Sequence, residues 1–310
     1  MNEFQLIARL RASLPSHAGV IAGAGDDCAV LDCGRPGRAL LFKTDAVVEG
    51  IHFLPSAKPE SIGHKALGRC LSDVAAMAGR PLAALVTLAL PKNFDPQFIR
   101  KIYAGMNRLA RRHGVAIVGG ETTSNPERLL ISVALLGEVA RDKCVLRCGA
   151  RAGDALFVTG ELGGSLAGKH LQFQPRLAEG RWLAEHFSIH AMIDLSDGLA
   201  GDVRHLMEGG KVGAELLAGA IPISRAARRR AGSGQSPKPP LLAALTDGED
   251  YELLFAAARR YAAPLADAWR KEFPKVRLSC IGKITAAPGL NLRDEEGVRA
   301  LQAHGYVHFS

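Results

Sequence analysis

Short apolar runs alternate with helical patterns along the whole chain, and that alternation restricts the fold more than any single motif. Runs too short for helices and rich in Val, Ile and Leu read as buried strands. Stretches with apolar residues three and four apart read as helices. Strand patterns fall at residues 28–32, 39–44, 83–90, 115–118 and 129–139, and helical ones at 3–13, 61–78 and 95–113. Gly114 stands where a helix ending at His113 needs a left-handed residue, and the next strand runs into Gly119 and Gly120. Near Arg147 the pattern restarts. Strands are read at 155–158, 192–195, 251–255 and 277–284, with helices at 165–171, from Gly198, around Leu241 and at 264–273. Mixed elements in both halves exclude an all-α or all-β chain and give the class α/β (α+β). A length of 310 residues fits two domains, expected at 1–146 and 147–310.

Such a pattern needs enough apolar mass for two cores, and 47% apolar against 23% charged residues supplies it. The longest apolar stretch, PLAALVTLALP at 81–91, is bounded by prolines and is shorter than the ~20 residues of a membrane-spanning helix. The first residues form an amphipathic pattern without the order of a signal peptide. Cysteines at 28, 33, 70, 144, 148 and 280 form no C-x-x-C pair and are too sparse for a disulfide framework. A soluble cytoplasmic protein, with no membrane partner, is the expectation.

The net charge of +8 is local. Residues 225–240 (RAARRRAGSGQSPKPP) hold Arg225, Arg228, Arg229, Arg230 and Lys238 and no acid, so most of the excess lies there. Gly, Ser and Pro in that stretch read as a flexible surface loop. It lacks aromatics to stack on bases, so a nucleic-acid partner is not expected.

Two glycine-rich stretches imitate nucleotide loops. Residues 163–170 match G-x-x-x-x-G-K but end in His170, where a hydroxyl residue is needed to hold Mg²⁺. Gly23 and Gly25 lack the third glycine of a dinucleotide fingerprint. The stronger signal is a series of acids at strand ends or turns: Asp26 and Asp27 in GAGDDC, Asp45 in FKTDAVVEG, Asp73 in CLSDVAAMAG, Glu121 in VGGETT, and Asp194 with Asp197 in MIDLSDG. Carboxylates and hydroxyls are hard oxygen ligands suited to Mg²⁺, which is rarely caged by protein alone and implies a polyphosphate partner. Each acid by itself also has the ordinary reading of a turn residue or helix cap.

Taken in order, the motifs resemble the thiamine-monophosphate kinase family, within the aminoimidazole-ribonucleotide-synthetase-like superfamily. The run is GAGDDCAVL (23–31), KTDAVVEGIHF (43–53), LSDVAAM (71–77), VGGETT (118–123), VTGELGGSLAG (158–168), MIDLSDGL (192–199), GEDYELLF (248–255) and GYVHF (305–309). The resemblance implies transfer of phosphate from ATP to thiamine monophosphate, giving ADP and thiamine diphosphate. It implies an N-terminal metal- and nucleotide-binding domain whose sheets pair in a homodimer, and a C-terminal α/β domain. It assigns several Mg²⁺ ions to Asp27, Thr44, Asp45, Asp73, Glu121, Asp194 and Asp197. ATP falls to Lys43, His113, Gly120, Glu121, Arg147 and Ser196, and the thiamine substrate to His52, Glu249 and Tyr306. A phosphate oxygen is already largely ionised near neutral pH, so no general base is expected.

Three residues depart from the family pattern. Lys43 replaces a common Ser beside the Thr-Asp pair, Glu121 replaces the Asp of GGDT, and His113 stands where Tyr is usual. Lys43 cannot ligate Mg²⁺, and its charge suits replacing an ion or touching phosphate. Other readings are an ATP-using superfamily member with a different acceptor and a non-catalytic paralogue that binds nucleotide and Mg²⁺.

Overall fold

The fold is seen in a computed structural model that describes residues 3–208, 210–234, 238–302 and 305–306; the last three residues of the GYVHF motif lie outside them. After helix α1 (Glu3–Ser13) comes a six-stranded sheet of β1 (Val20–Ala22), β2 (Ala29–Asp32), β3 (Arg38–Val48), β4 (Arg80–Leu90), β5 (Ala116–Ser124) and β6 (Leu130–Ala140). Its order is β1-β2-β3-β6-β4-β5. β4 and β5 run parallel because the crossover helix α3 (Pro96–His113) joins them, while the other neighbours are antiparallel. α3 is set by its ends: the Asp95 side chain accepts from Gln97 N at 2.8 Å, Pro96 opens the helix, and Gly114 closes it at φ 67°.

Helix α2 (Pro59–Ala76) lies under the first sheet and is buried on nearly all sides. Its small residues permit this. A Cβ on Gly63 would strike the backbone of Ile102 in α3, and one on Gly105 would strike the backbone of Glu60, so the helices meet backbone to backbone. On its other side α2 packs against helix α4 (Leu177–His186) and β8 (Ile189–Asp194) of a second sheet.

That sheet also contains β7 (Ala155–Thr159), β9 (Gly213–Leu217), β10 (Leu253–Ala257), β11 (Leu278–Thr285), β12 (Gly289–Asp294) and β13 (Gly297–Ala300), in the order β13-β12-β9-β11-β7-β10-β8. One face shares a core with α2 and the first sheet, with Phe157, Met192, Phe255 and Trp269 among its members. The other is covered by α5 (Leu199–Met207) and α7 (Pro240–Thr246), around Leu156, Ile193, Val203 and Leu245. α8 (Ala262–Glu272) contacts β11. Alternation along β3 turns Leu41 toward α2 and Phe42 to the far face of the first sheet, where Phe42, Leu85 and Val118 are 49%, 48% and 63% exposed. No helix among the described residues is long and apolar enough to cross a membrane.

Three local expectations change. The helix expected at 165–171 is two 3₁₀ turns, Ser165–Ala167 and Lys169–Leu171, separated by Gly168 at φ 130°, which a continuous helix cannot hold. The strand expected to end at Val118 continues to Ser124, because β4 pairs with it beyond the two glycines. The basic stretch expected as a flexible loop begins with a helix, α6 (Arg225–Gly232). Ser224 Oγ accepts from Ala227 N at 3.0 Å, Ala227 is buried, and arginine is a good helix former.

Candidate active site

The α2 face of β3 carries charge where apolar residues would be ordinary. Lys43 and Asp45 alternate inward with Leu41 and Val47 and meet a polar stripe on α2. Lys65, Arg69 and Asp73 recur every four residues along one side of that helix, with Ser72 beside them. Lys43 Nζ donates to Asp73 Oδ1 at 2.8 Å, and Arg69 Nε lies 2.9 Å from Asp45 Oδ2. Ser72 Oγ donates to Asp194 Oδ2 at 2.5 Å, tying α2 to the end of β8. Arg147, on the segment between the sheets, donates from Nε to Asp27 Oδ1 at 3.0 Å, and its backbone N–H donates to Asp26.

Asp27, Asp73 and Asp194 are all buried, and one carboxylate oxygen of each lies within 4.8 Å of the others. Burial pushes Asp73 well above the usual carboxylate range despite Lys43, with Asp194 and Asp45 adding to the rise. Asp194 is raised to about 7 by burial and by Asp27, against the Ser72 hydrogen bond and Lys43. Lys43 runs the other way. Burial opposes its charge, but Asp73 and Asp45 hold its ammonium above the ordinary lysine value. Asp27 Oδ2 is buried and has no hydrogen-bond partner. Crowded acids with an orphaned oxygen form an all-oxygen donor set of the kind Mg²⁺ takes.

A pocket adjoins this cluster through Arg69. Ile51, His52, Arg69, Leu166, Ser196, Asp197, Asp247, Glu249, Tyr251 and Tyr306 line it. The structure therefore brings His52, Glu249, Tyr306, Ser196 and Asp197 together. Backbone pairing holds the 248–252 turn in place: Glu249 N donates to Ser196 O at 2.7 Å and Tyr251 N to Leu195 O at 2.9 Å. Both residues sit at positive φ, 54° and 51°, a strained conformation that the surrounding contacts impose. Lys65 is wholly buried beneath the pocket, 2.6 Å from Glu249 Oε2 and 2.8 Å from His170 Nδ1. Burial lowers the Lys65 ammonium to about 8; burial opposes the Glu249 charge, but His170 and Lys65 hold its carboxyl at about 2. Asp197 belongs to a second group with Asp202 and His205, and Asp202 accepts from the backbone of Asp197 and Gly198.

Four expected residues stand apart. Thr44 lies between two inward residues, so its side chain faces the open side of the sheet, where its hydroxyl is 3.4 Å from that of Ser132. Gly120 and Glu121 are exposed on the edge strand β5. The row Asp45, Val133, Val86, Gly120 places three strand spacings, about 14 Å, between Asp45 and Gly120. His113 ends α3; burial lowers its pKa, with Arg112, His64 and Arg181 adding to that. Lys65, Arg69, Ser72 and Tyr251 were not singled out from the sequence, and His170 was read there only as the residue that breaks the P-loop pattern. The four-residue spacing of Lys65 and Arg69 with Asp73 in the otherwise apolar 61–78 segment was the available signal for two of them.

Residues 25–139 match the AIR synthase related protein, N-terminal domain. A thiamine-monophosphate kinase of Rhodopirellula baltica is 38% identical over 296 residues, covering 93% of this chain and 91% of the relative. That of Bacillus subtilis is 31% identical and covers 100% of both chains. Among solved structures, AaThiL complexed with AMPPCP and TMP superimposes with a TM-score of 0.85 at 31% identity, over 99% of this chain and 97% of that one. E. coli HypE, at 22% identity and a TM-score of 0.74, shares the fold. With full-length likeness in sequence and structure, the chain belongs to the thiamine-monophosphate kinase family.

Proposed function

We propose that this protein transfers the γ-phosphoryl group of ATP directly to thiamine monophosphate, with Mg²⁺ ions held at the junction of the two sheets. The observation that carries this reading is the convergence of Asp27, Asp73 and Asp194, with a buried unpartnered oxygen, next to a pocket lined by His52, Glu249 and Tyr306. The ligands of the similar AaThiL complex, AMPPCP and TMP, correspond to an ATP analogue and the acceptor.

Asp27, Asp73, Asp194 and, from β3, Asp45 would hold the ions, with Asp197 at the pocket side. Bound Mg²⁺ supplies charge neutralisation for the two phosphate-bearing substrates. Arg147 offers a planar guanidinium fork to a phosphate edge, and Ser196 a hydroxyl. A phosphate oxygen of thiamine monophosphate attacks the γ-phosphorus in line; the bond to the β,γ-bridging oxygen breaks, and ADP leaves. The attacking oxygen is already ionised, so the protein's task is alignment. Glu249 faces the pocket as a carboxylate at neutral pH and balances a cationic thiazolium ring, although Lys65 and His170 share its charge.

The division expected from the sequence fits this proposal: residues 1–146 carry most acids, and 147–310 most of the acceptor pocket. We place Thr44, Gly120 and Glu121 in the site through a second copy of the chain. Within one copy Gly120 and Glu121 are too far from Asp45 to share an ion with it, because two oxygens on one Mg²⁺ are at most about 4.2 Å apart, and the Thr44 side chain points to the opposite face of the sheet. The open sheet face with Phe42, Leu85 and Val118 is the surface on which two copies would pair. His113 closes α3 and is given no contact with the nucleotide in this proposal.

The test is incubation of the purified protein with ATP, Mg²⁺ and thiamine monophosphate, followed by separation of the thiamine esters. Equal amounts of thiamine diphosphate and ADP are expected. ADP without thiamine diphosphate would assign a different acceptor, and no ADP with nucleotide still bound would assign a binding role.

A further inference from the structure

Four carboxylates meet at the junction, and their partners are unequal. Asp27 has Arg147, Asp45 has Arg69 and Asp73 has Lys43, each at ion-pair distance; Asp194 has the neutral Ser72 hydroxyl. The two arginines come from α2 and from the segment before β7. Lys43 is different. It comes from β3, followed in sequence by Thr44 and Asp45, and Nζ sits 2.8 Å from Asp73 Oδ1. An ammonium is a compact point charge with three donors, and it occupies a carboxylate edge that a divalent ion would otherwise use. It also repels a second cation on the same edge.

We propose that Lys43 is a built-in cation of the acidic cluster, filling the position of one divalent ion on Asp73. The inference rests on the proposed metal-assisted function and concerns this chain's own residue. It has two consequences. The protein with nucleotide bound holds one divalent ion fewer than the same chain with a small neutral residue at position 43. Its stability also depends less on divalent ions, because the cluster is partly neutralised before any ion binds.

The test counts Mn²⁺ per chain in the presence of ADP, by equilibrium dialysis with metal quantification, for the wild type, Lys43→Ser and Lys43→Gln. Gln keeps the length of the side chain and removes its charge, so it serves if the Ser variant does not fold. One additional Mn²⁺ per chain in either variant is expected, together with a larger rise in melting temperature on adding Mn²⁺ than the wild type shows. Equal or lower counts in the variants, with ions above the one that accompanies free nucleotide, would overturn the inference and leave the metal cluster standing. No protein-held Mn²⁺ in any of the three would overturn the metal reading itself.

Discussion

The two faces of the N-terminal sheet carry different chemistry. On the α2 side, Lys43, Asp45, Asp73, Asp194, Asp27 and Arg147 are buried or half-buried, with Lys43 bonded to Asp73, Arg147 to Asp27, Ser72 to Asp194 and Arg69 paired with Asp45. On the open side, Thr44 and the edge residues Gly120 and Glu121 are exposed beside apolar Phe42, Leu85 and Val118. The covered face has a preorganised cluster of acids that one chain can build alone. The other face presents residues of the same motif set to solvent, and among the described residues none of them joins the acid cluster. On the proposed reading, the metal site would be completed by a second copy bringing its edge strand to the junction of the first.

Changes on the covered face should have the largest effects. Asp73→Asn removes the charge at the centre of the cluster, and turnover should fall by at least about a hundredfold with the circular dichroism spectrum unchanged. Near-normal turnover would remove Asp73 from the phosphate site. Next is the lysine beneath the pocket. Lys65→Met leaves the half-buried Glu249 carboxylate without its ammonium partner, and chemical denaturation should show a loss of about 1–3 kcal/mol. A loss below ~1 kcal/mol would mean that His170 alone satisfies Glu249.

A smaller, pH-dependent effect belongs to Asp250, whose carboxyl burial raises from 3.8 to about 7, with one oxygen unpartnered. A raised folded-state value means that the folded protein keeps the proton longer than the unfolded chain does. Its stability contribution is therefore full below 3.8 and is lost as pH rises through about 7. Asp250→Asn, which cannot ionise, should gain in melting temperature relative to the wild type across that interval; a constant difference would show that Asp250 titrates normally. The smallest effect is expected on α6. Arg228→Ala and Arg229→Ala, on its exposed side, should change stability by no more than about 0.5 kcal/mol and leave turnover unchanged. Loss of turnover would give the basic helix a role in the reaction.

The acids at strand ends and turns were legible one by one, because Asp27 precedes, Asp45 follows and Asp194 lies within a short apolar strand pattern, each near small residues. Their convergence was not, since it depends on α2 being narrow enough, through Gly63 and its small neighbours, to lie between two sheets. Lys65 was hidden by a different cause. A lysine in a helix is ordinarily solvated, and burial on all sides comes from α4 and the His170 turn, which sequence periodicity does not place. Composition misled at residues 225–232, where Gly, Ser and Pro further along outweighed a cap at Ser224 and a buried Ala227. Strand order was also outside the sequence pattern. Thr44 and Asp45 are adjacent in the chain, yet the pleat sends them to opposite faces.

The contrast between the two faces is tested most directly by mixing chains. Asp73→Asn disables the covered face and Glu121→Gln the edge strand, and each variant alone should be nearly inactive. If the edge acts on the partner's cluster, chains unfolded and refolded together should regain about a quarter of wild-type activity, because half the dimers are mixed and each has one intact site. If the mixture stays as inactive as its components, Glu121 acts within its own chain and the shared site is contradicted.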